Sequence, residues 1–230
     1  MTRSHIIIAL DFESAEAARE LVSKLGDAVS FYKVGMELYA SAGMEFVREL
    51  IGSGKRVFLD MKFYDIGETV KRAVAQVAMS GVTFCTVHGS KAVMRAAIDG
   101  RGDSSLKLLA VTVLTSFDQN DLADLGYPCS VSELVDLRVT KAMEAGVDGL
   151  VCSPLEVAAV RGIAGPKAIL VTPGVRSAGE GKGDQKRVAT PAEAMRNGAN
   201  YLVIGRQVTR AKDPRAEVRR ICEEIATVSQ

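Results

Sequence analysis

Eight short apolar runs, separated by amphipathic stretches, constrain this chain more than any other feature. The runs span residues 6–10, 30–34, 56–59, 83–87, 106–113, 149–152, 168–171 and 201–204. They are continuous rather than alternating, the pattern of parallel strands covered on both faces. Between them apolar residues recur at helical spacing. Ala18, Leu21, Val22 and Leu25 fall at i, i+3, i+4 and i+7, with Ser14 placed to cap that helix and Gly26 to stop it. Comparable stretches run from about 36 to 51, 69 to 80, 130 to 145 and 215 to 226. Gly81, Gly146 and Gly198 each close a helical stretch just before the next strand. Eight units in 230 residues average about 29 residues, enough for one strand and one helix. The expectation is an α/β chain folded as a (β/α)8 TIM barrel, one domain over residues 1–230. A doubly wound open sheet is the alternative, but no G-x-G-x-x-G follows the first strand.

Composition narrows the function classes. A net charge of +1, with no basic block or acidic tail, argues against nucleic acid or a membrane surface as the main partner. The longest apolar runs are too short to cross a bilayer, and the first residues lead into a strand without the pattern of a signal peptide. A cytoplasmic protein is expected. Cys85, Cys129, Cys152 and Cys222 form no C-x-x-C pair, and His5 and His88 are the only histidines. Disulfides and metal-centred chemistry are therefore not expected.

In a barrel of this kind chemistry gathers at the carboxyl ends of the strands. In order these ends carry Asp11, Lys33, Asp60 with Lys62, His88, Thr115 with Ser116, Ser153, Pro173 and Arg206. The run Asp60-Met61-Lys62-Phe63-Tyr64-Asp65 is the most telling. Strand alternation sends Asp60 and Lys62 to one face, and Asp65 follows closely, so two carboxylates and an ammonium crowd where an apolar strand stops. Desolvation and repulsion make such a cluster costly unless its perturbed charges are used. After the seventh strand comes Thr172-Pro173-Gly174-Val175-Arg176, and after the eighth Ile204-Gly205-Arg206-Gln207. Glycine lets backbone N–H groups approach a ligand, arginine pairs with phosphate, and these two loops are the recurrent phosphate site of such barrels. The stretch 174–187, with four glycines, reads as a mobile active-site loop. His88 is expected in a structural, hydrogen-bonded role at least as readily as in the site. His5 is given no function, and Met36, Met44 and Met79 are expected as core filler.

With these pieces placed, the chain resembles the orotidine 5′-phosphate decarboxylase family over nearly its whole length. The resemblance rests on Ala9-Leu10-Asp11, Tyr32-Lys33-Val34-Gly35, Leu59-Asp60-Met61-Lys62-Phe63-Tyr64-Asp65-Ile66, Val113-Leu114-Thr115-Ser116, Thr172-Pro173-Gly174-Val175-Arg176, Asp184-Gln185 and Ile204-Gly205-Arg206. It implies a cofactor-independent conversion of orotidine 5′-monophosphate to UMP and CO2. It further implies that Asp11 holds the ribose, Lys33 links the ribose to the carboxylates, Asp60 lies against the substrate carboxylate and Lys62 donates the proton. Asp65, with Thr69 nearby, would reach into the neighbouring subunit of a homodimer. Thr115 and Ser116 would meet the pyrimidine, Gln185 would bridge pyrimidine and phosphate, and Pro173, Arg176, Gly205 and Arg206 would lie toward the phosphate.

Three other readings compete. Mg-dependent sugar-phosphate decarboxylases and aldolases of the same barrel superfamily share Asp-x-Lys-x-x-Asp, but place an acidic metal ligand where this chain has Lys33. A ribulose-phosphate epimerase needs more histidines than two. A catalytically dead nucleotide-binding barrel would have little reason to keep Asp60, Lys62 and Asp65 together.

Overall fold

The computed structural model describes residues 2–178 and 188–228. Within them eight parallel strands pair in chain order, and the last pairs with the first to close a barrel. The strands are β1 (Ile6–Ala9), β2 (Phe31–Gly35), β3 (Arg56–Phe63), β4 (Phe84–His88), β5 (Lys107–Val111), β6 (Gly149–Val151), β7 (Ile169–Thr172) and β8 (Tyr201–Ile204). All eight apolar runs are strands. The chief difference is β3, which continues four residues past the expected end at Leu59. Asp60 and Lys62 thus belong to the strand itself, with Asp60 opposite Gly35 of β2.

The helices are α1 (Ala15–Leu25), α2 (Met36–Gly52), α3 (Gly67–Met79), α4 (Lys91–Arg101), α5 (Gln119–Asp124), α6 (Val131–Ala145), α7 (Val157–Ala164), α8 (Pro191–Arg196), α9 (Arg206–Thr209) and α10 (Pro214–Ala226). Ser14 caps α1 as expected, its Oγ accepting from the Ala17 N–H at 3.3 Å. Gly81, Gly146 and Gly198 take the positive φ that ending a helix beside a strand requires. Sequence periodicity did not pick out α4, α5, α7, α8 or α9. Met36 and Met79 correct the expectation of core filler, for both are exposed. They are the first residue of α2 and the last of α3, beyond the stripe those helices bury.

Two separate cores follow from strand parity. Outward-facing residues such as Ile8, Tyr32, Val34, Leu59 and Cys85 pack beneath the helices. Inward-facing Ile7, Ala9, Phe31, Phe58, Phe84, Leu109, Val171 and Val203 fill the barrel, with Tyr201 against them. Phe84 meets Phe31 at 5.1 Å and Tyr201 at 5.2 Å, ring edge to ring face. This aromatic plug closes the barrel below the level at which polar residues begin.

The segment Tyr64–Ile66 leads from β3 into α3, whose position depends on α4. A Cβ added at Gly100 would lie 2.2 Å from the Lys71 carbonyl oxygen, so α4 touches the α3 backbone there. Alanine would gain about 1 kcal/mol of helix propensity over glycine. Overpacking against backbone costs about 1–3 kcal/mol or more, so the clash outweighs the gain. Gly100→Ala is expected to lower Tm by several degrees, at about 2–4 °C per kcal/mol for a chain of this size. A Tm at or above that of the parent in thermal unfolding would show that α3 and α4 part freely.

Candidate active site

Strand parity carries the chain from plug to chemistry in one step. On β2 the inward residue after Phe31 is Lys33; on β3 the one after Phe58 is Asp60; on β4 the one after Phe84 is Thr86. Asp11 stands at the same level beyond Ala9. A cavity of about 830 Å³ opens above the plug, lined by Asp11, Lys33, Asp60, Lys62, Thr115, Ser116, Pro173, Arg176, Gly205 and Arg206. Ten of the thirteen expected site residues therefore come together at the carboxyl ends of the strands.

Four of them form a chain of alternating charge. Lys33 Nζ donates to Asp11 Oδ1 at 2.8 Å and lies 3.8 Å from Asp60 Oδ2. On the other side of Asp60, Lys62 Nζ donates to Oδ1 at 2.9 Å. The Asp60 side chain is only 14% exposed, whereas that of Asp11 is 56% exposed. Burial alone would push the Asp60 carboxyl up. The Lys33 and Lys62 charges, with hydrogen bonds from Lys62 and Thr86, outweigh it and hold the group below the ordinary carboxylate range. Gly35 leaves room for the pair beside it, since a Cβ there would lie 2.9 Å from Lys33 Nζ and 3.2 Å from Asp11 Oδ1.

Thr86 has no place among the residues expected from sequence. It is fully buried, its Oγ1 donates to Asp60 Oδ1 at 2.9 Å, and the Lys62 N–H donates to the same Oγ1 at 2.9 Å. Lys62 is the one non-glycine residue with positive φ (49°) among the described residues. The β3–β4 register shifts between Leu59 and Phe63, and Thr86 supplies the acceptor that the displaced Lys62 N–H needs. The signal that would have found Thr86 is its parity with Phe84, two residues earlier on β4.

The remaining expected residues lie elsewhere. Asp65 and Thr69 are exposed, outside the cavity, and Asp65 Oδ1 accepts from the Ile66 N–H at 2.6 Å. Asp65 is thus not crowded with Asp60 and Lys62 within one chain, because the segment after Lys62 leaves the barrel mouth toward α3. Gln185 and most of the expected 174–187 loop lie outside the described residues. His88 does not line the cavity. Its ring packs on Tyr64 at 4.2 Å, its Nδ1 has no hydrogen-bond partner among the described residues, and burial followed by the Arg138 charge lowers its pKa. His5 Nδ1 donates to the Asn200 carbonyl just before β8, at the opposite end of the barrel from the cavity.

Residues 4–221 match the model of the orotidine 5′-phosphate decarboxylase / HUMPS family. The chain is 53% identical over 226 residues to an orotidine 5′-phosphate decarboxylase of Nitrobacter winogradskyi, covering 98% of this chain and 94% of that one. A second such decarboxylase, from a Caulobacter species, is 51% identical over 221 residues and 96% of each chain. The crystal structure of an orotidine 5′-phosphate decarboxylase from Lactobacillus acidophilus superposes with a TM-score of 0.83, at 37% identity, over 96% of this chain and 98% of that one.

Thr86→Val keeps the shape of the side chain but leaves the Lys62 N–H without its acceptor and Asp60 with one donor fewer. The Asp60 pKa is expected to rise toward its ordinary value, with a loss of stability of about 1–3 kcal/mol. The depressed folded pKa stabilises the protein above the unfolded carboxylate value, and this contribution is lost as pH falls from about 3.9 through the folded value. In the variant that acid-dependent loss becomes smaller. An Asp60 carboxyl titration by 13C NMR identical to the parent's would show that the hydroxyl does not hold the carboxylate.

Proposed function

The chain belongs to the orotidine 5′-phosphate decarboxylase / HUMPS family, and we propose that it converts orotidine 5′-monophosphate to UMP and CO2 without a cofactor. The single observation that carries this reading is the alternating row Asp11, Lys33, Asp60 and Lys62 at the floor of the cavity. When the C6–carboxylate bond breaks, CO2 leaves and its bonding pair stays on C6 of the pyrimidine, where no ring system can accept it. The protein must meet that charge with a fixed cation and deliver a proton at once. Lys62 fits both tasks. Its ammonium is anchored to Asp60, its proton would pass to C6, and the neutral amine would regain a proton from solvent.

Asp60 would face the substrate carboxylate, and loss of neutral CO2 would relieve their repulsion. Asp11 would accept from the ribose hydroxyls, with Lys33 joining that end to Asp60. Thr115 and Ser116, beyond β5, would meet the pyrimidine, and Gln185 would bridge pyrimidine and phosphate. Pro173, Arg176, Gly205 and Arg206, beyond β7 and β8, would surround the phosphate. Binding energy from that remote dianion can lower the barrier at C6. The Mg-dependent sugar-phosphate reading is weaker because two ammoniums already flank Asp60, the carboxylate nearest the cavity floor.

The working unit proposed is a homodimer, with Asp65 and Thr69 reaching the partner's site. Tyr64 and Ile66, on either side of Asp65, are 68% and 73% exposed, an apolar pair that a second copy would cover.

The test is the ultraviolet spectrum of orotidine 5′-monophosphate mixed with the protein in excess EDTA. Conversion to the UMP spectrum supports the reading. No conversion by EDTA-treated protein, with turnover of a sugar phosphate once Mg²⁺ is restored, would replace it. Lys62→Ala is expected to lower kcat by about 10²–10⁴-fold or more, the span of a lost general acid, with the fold retained by circular dichroism. Substantial residual turnover would remove Lys62 as the donor. Arg206→Ala is expected to reduce kcat/KM by about 10–100-fold, as for a lost charge-assisted hydrogen bond, though it touches no reacting atom. A near-normal value in steady-state kinetics would remove Arg206 from phosphate recognition.

A further inference from the structure

Behind the wall that carries Arg176 and Arg206 lies a buried polar network that the reaction does not use. Gln207 directly follows Arg206, and Ser177 directly follows Arg176; they are 8% and 3% exposed. Gln207 Oε1 accepts from the Ser177 N–H at 3.2 Å, while Gln207 Nε2 donates to Ser177 Oγ at 2.9 Å. The amide therefore grips the backbone and the side chain of one residue together. The same Nε2 donates to Glu217 Oε1 at 2.7 Å, and Ser177 Oγ donates to Glu224 Oε2 at 2.7 Å. Both glutamates belong to α10, and Arg220 donates to both oxygens of Glu217.

The Gln207 amide and the Ser177 hydroxyl each meet partners of the matching kind. One face of the Gln207 amide meets a donor, and the other meets two acceptors. A carboxylate at position 207 would oppose Glu217, and an apolar residue would leave the Ser177 N–H and Glu217 short of partners in a buried site. Tight turns or chance polarity explain neither the two-point grip on Ser177 nor the pair of anchors on α10. What the network does geometrically is fix the distance between two loops. The first leaves β7 and is also tied by the Arg176 N–H donating to the Ala189 carbonyl at 3.0 Å; the second leaves β8 and turns at once into α9, which carries Gln207.

We propose that Gln207 is a positioning residue for phosphate recognition. Through Ser177 it locks the β7 loop to the β8 loop, on a base provided by α10, so that Arg176 and Arg206 face one phosphate at a set separation. The inference rests on the phosphate assignment made above for those two arginines. Gln207 itself touches no substrate. Its effect belongs to ligands that carry the phosphate and disappears when the arginines are gone.

The experiment measures UMP binding by calorimetry, with uridine as the ligand that lacks phosphate, alongside kcat and KM for orotidine 5′-monophosphate. Gln207→Leu is expected to weaken UMP by about 10-fold or more, which is about 1.4 kcal/mol. Uridine binding should stay within about two-fold, and kcat/KM for orotidine 5′-monophosphate should fall by at least as much as the affinity for UMP. Ser177→Ala, a smaller change that keeps the fold if the leucine variant does not, should move UMP in the same direction. In an Arg176→Ala, Arg206→Ala background Gln207→Leu should add less than about two-fold, as residues acting through one another are not additive. Equal losses for UMP and uridine, an unchanged kcat/KM for orotidine 5′-monophosphate, or full additivity in the double-alanine background would each overturn the proposal. A parent protein that binds UMP but leaves orotidine 5′-monophosphate unchanged would sink the decarboxylase reading while leaving this comparison decisive.

Discussion

Asp60 is a carboxylate inside a barrel, and the arrangement of the site depends on keeping it charged there. A buried ion loses most of its hydration, and neither Lys33 nor Lys62 alone sits close enough to both of its oxygens to replace that shell. The protein surrounds Asp60 instead: one ammonium at each oxygen and the Thr86 hydroxyl on Oδ1. The second carboxylate, Asp11, balances Lys33 from outside. Removing any one charge of the row leaves a neighbour uncompensated at the level where the aromatic plug ends and the cavity begins. The row is therefore preorganised by its own electrostatics.

That self-sufficiency divides the rim into two halves of different character. The half from β1 to β4 is built on strand residues whose side chains are fixed by parity and by one another. The part from β7 to β8 presents Arg176 from the segment after β7 and Arg206 from the start of the short helix α9, neither of which strand pairing positions. There the reference frame comes from behind, through Gln207 and Ser177 to the two glutamates of α10. Under the proposed function, charged groups fixed at the barrel floor and arginines braced from behind suit a reaction in which a remote dianion supplies binding energy for a step elsewhere. Both ends of α10 take part, Glu217 from its first turn and Glu224 from its last, so one helix braces the far side of the cavity.

The strands were legible because parallel strands covered on both faces are apolar throughout, and eight such runs leave few architectures open. Single residues were legible where chemistry and place agreed, as at Lys33, Asp60 and Lys62. Reading one step past each apolar run located Asp11, but it stopped β3 four residues short, because Asp60 and Lys62 look like loop residues on hydropathy alone. Thr86 was missed for the converse reason. It lies within an apolar run, and only its inward parity marks it as a neighbour of Asp60. Asp65 was misplaced within the chain, since sequence adjacency to Lys62 says nothing about a strand that bends away. Gln207 was hidden by its neighbour, for Arg206 drew the functional reading and the amide looked like a turn residue. No local signal marks Glu217 and Glu224 as its partners, which come from a helix that begins seven residues later in the chain.

The bend in β3 ties these observations together. A regular pleat would put the Asp60 and Lys62 side chains on one face but about 6–7 Å apart along the strand. The positive φ at Lys62 and the slip in register against β4 break that spacing where the ammonium returns to Asp60. A left-handed conformation at a residue with a side chain costs about 1–3 kcal/mol and persists only where its surroundings impose it. Thr86 imposes it from one side, by accepting the Lys62 N–H, while the Asp60 carboxylate holds the other end of the same residue. A bulge also bends the strand that carries it, and β3 leaves the barrel immediately afterwards with Tyr64, Asp65 and Ile66 exposed. One strained residue thus sets two outcomes: Lys62 is turned inward against Asp60, and Asp65, three positions on, is turned outward to an exposed position.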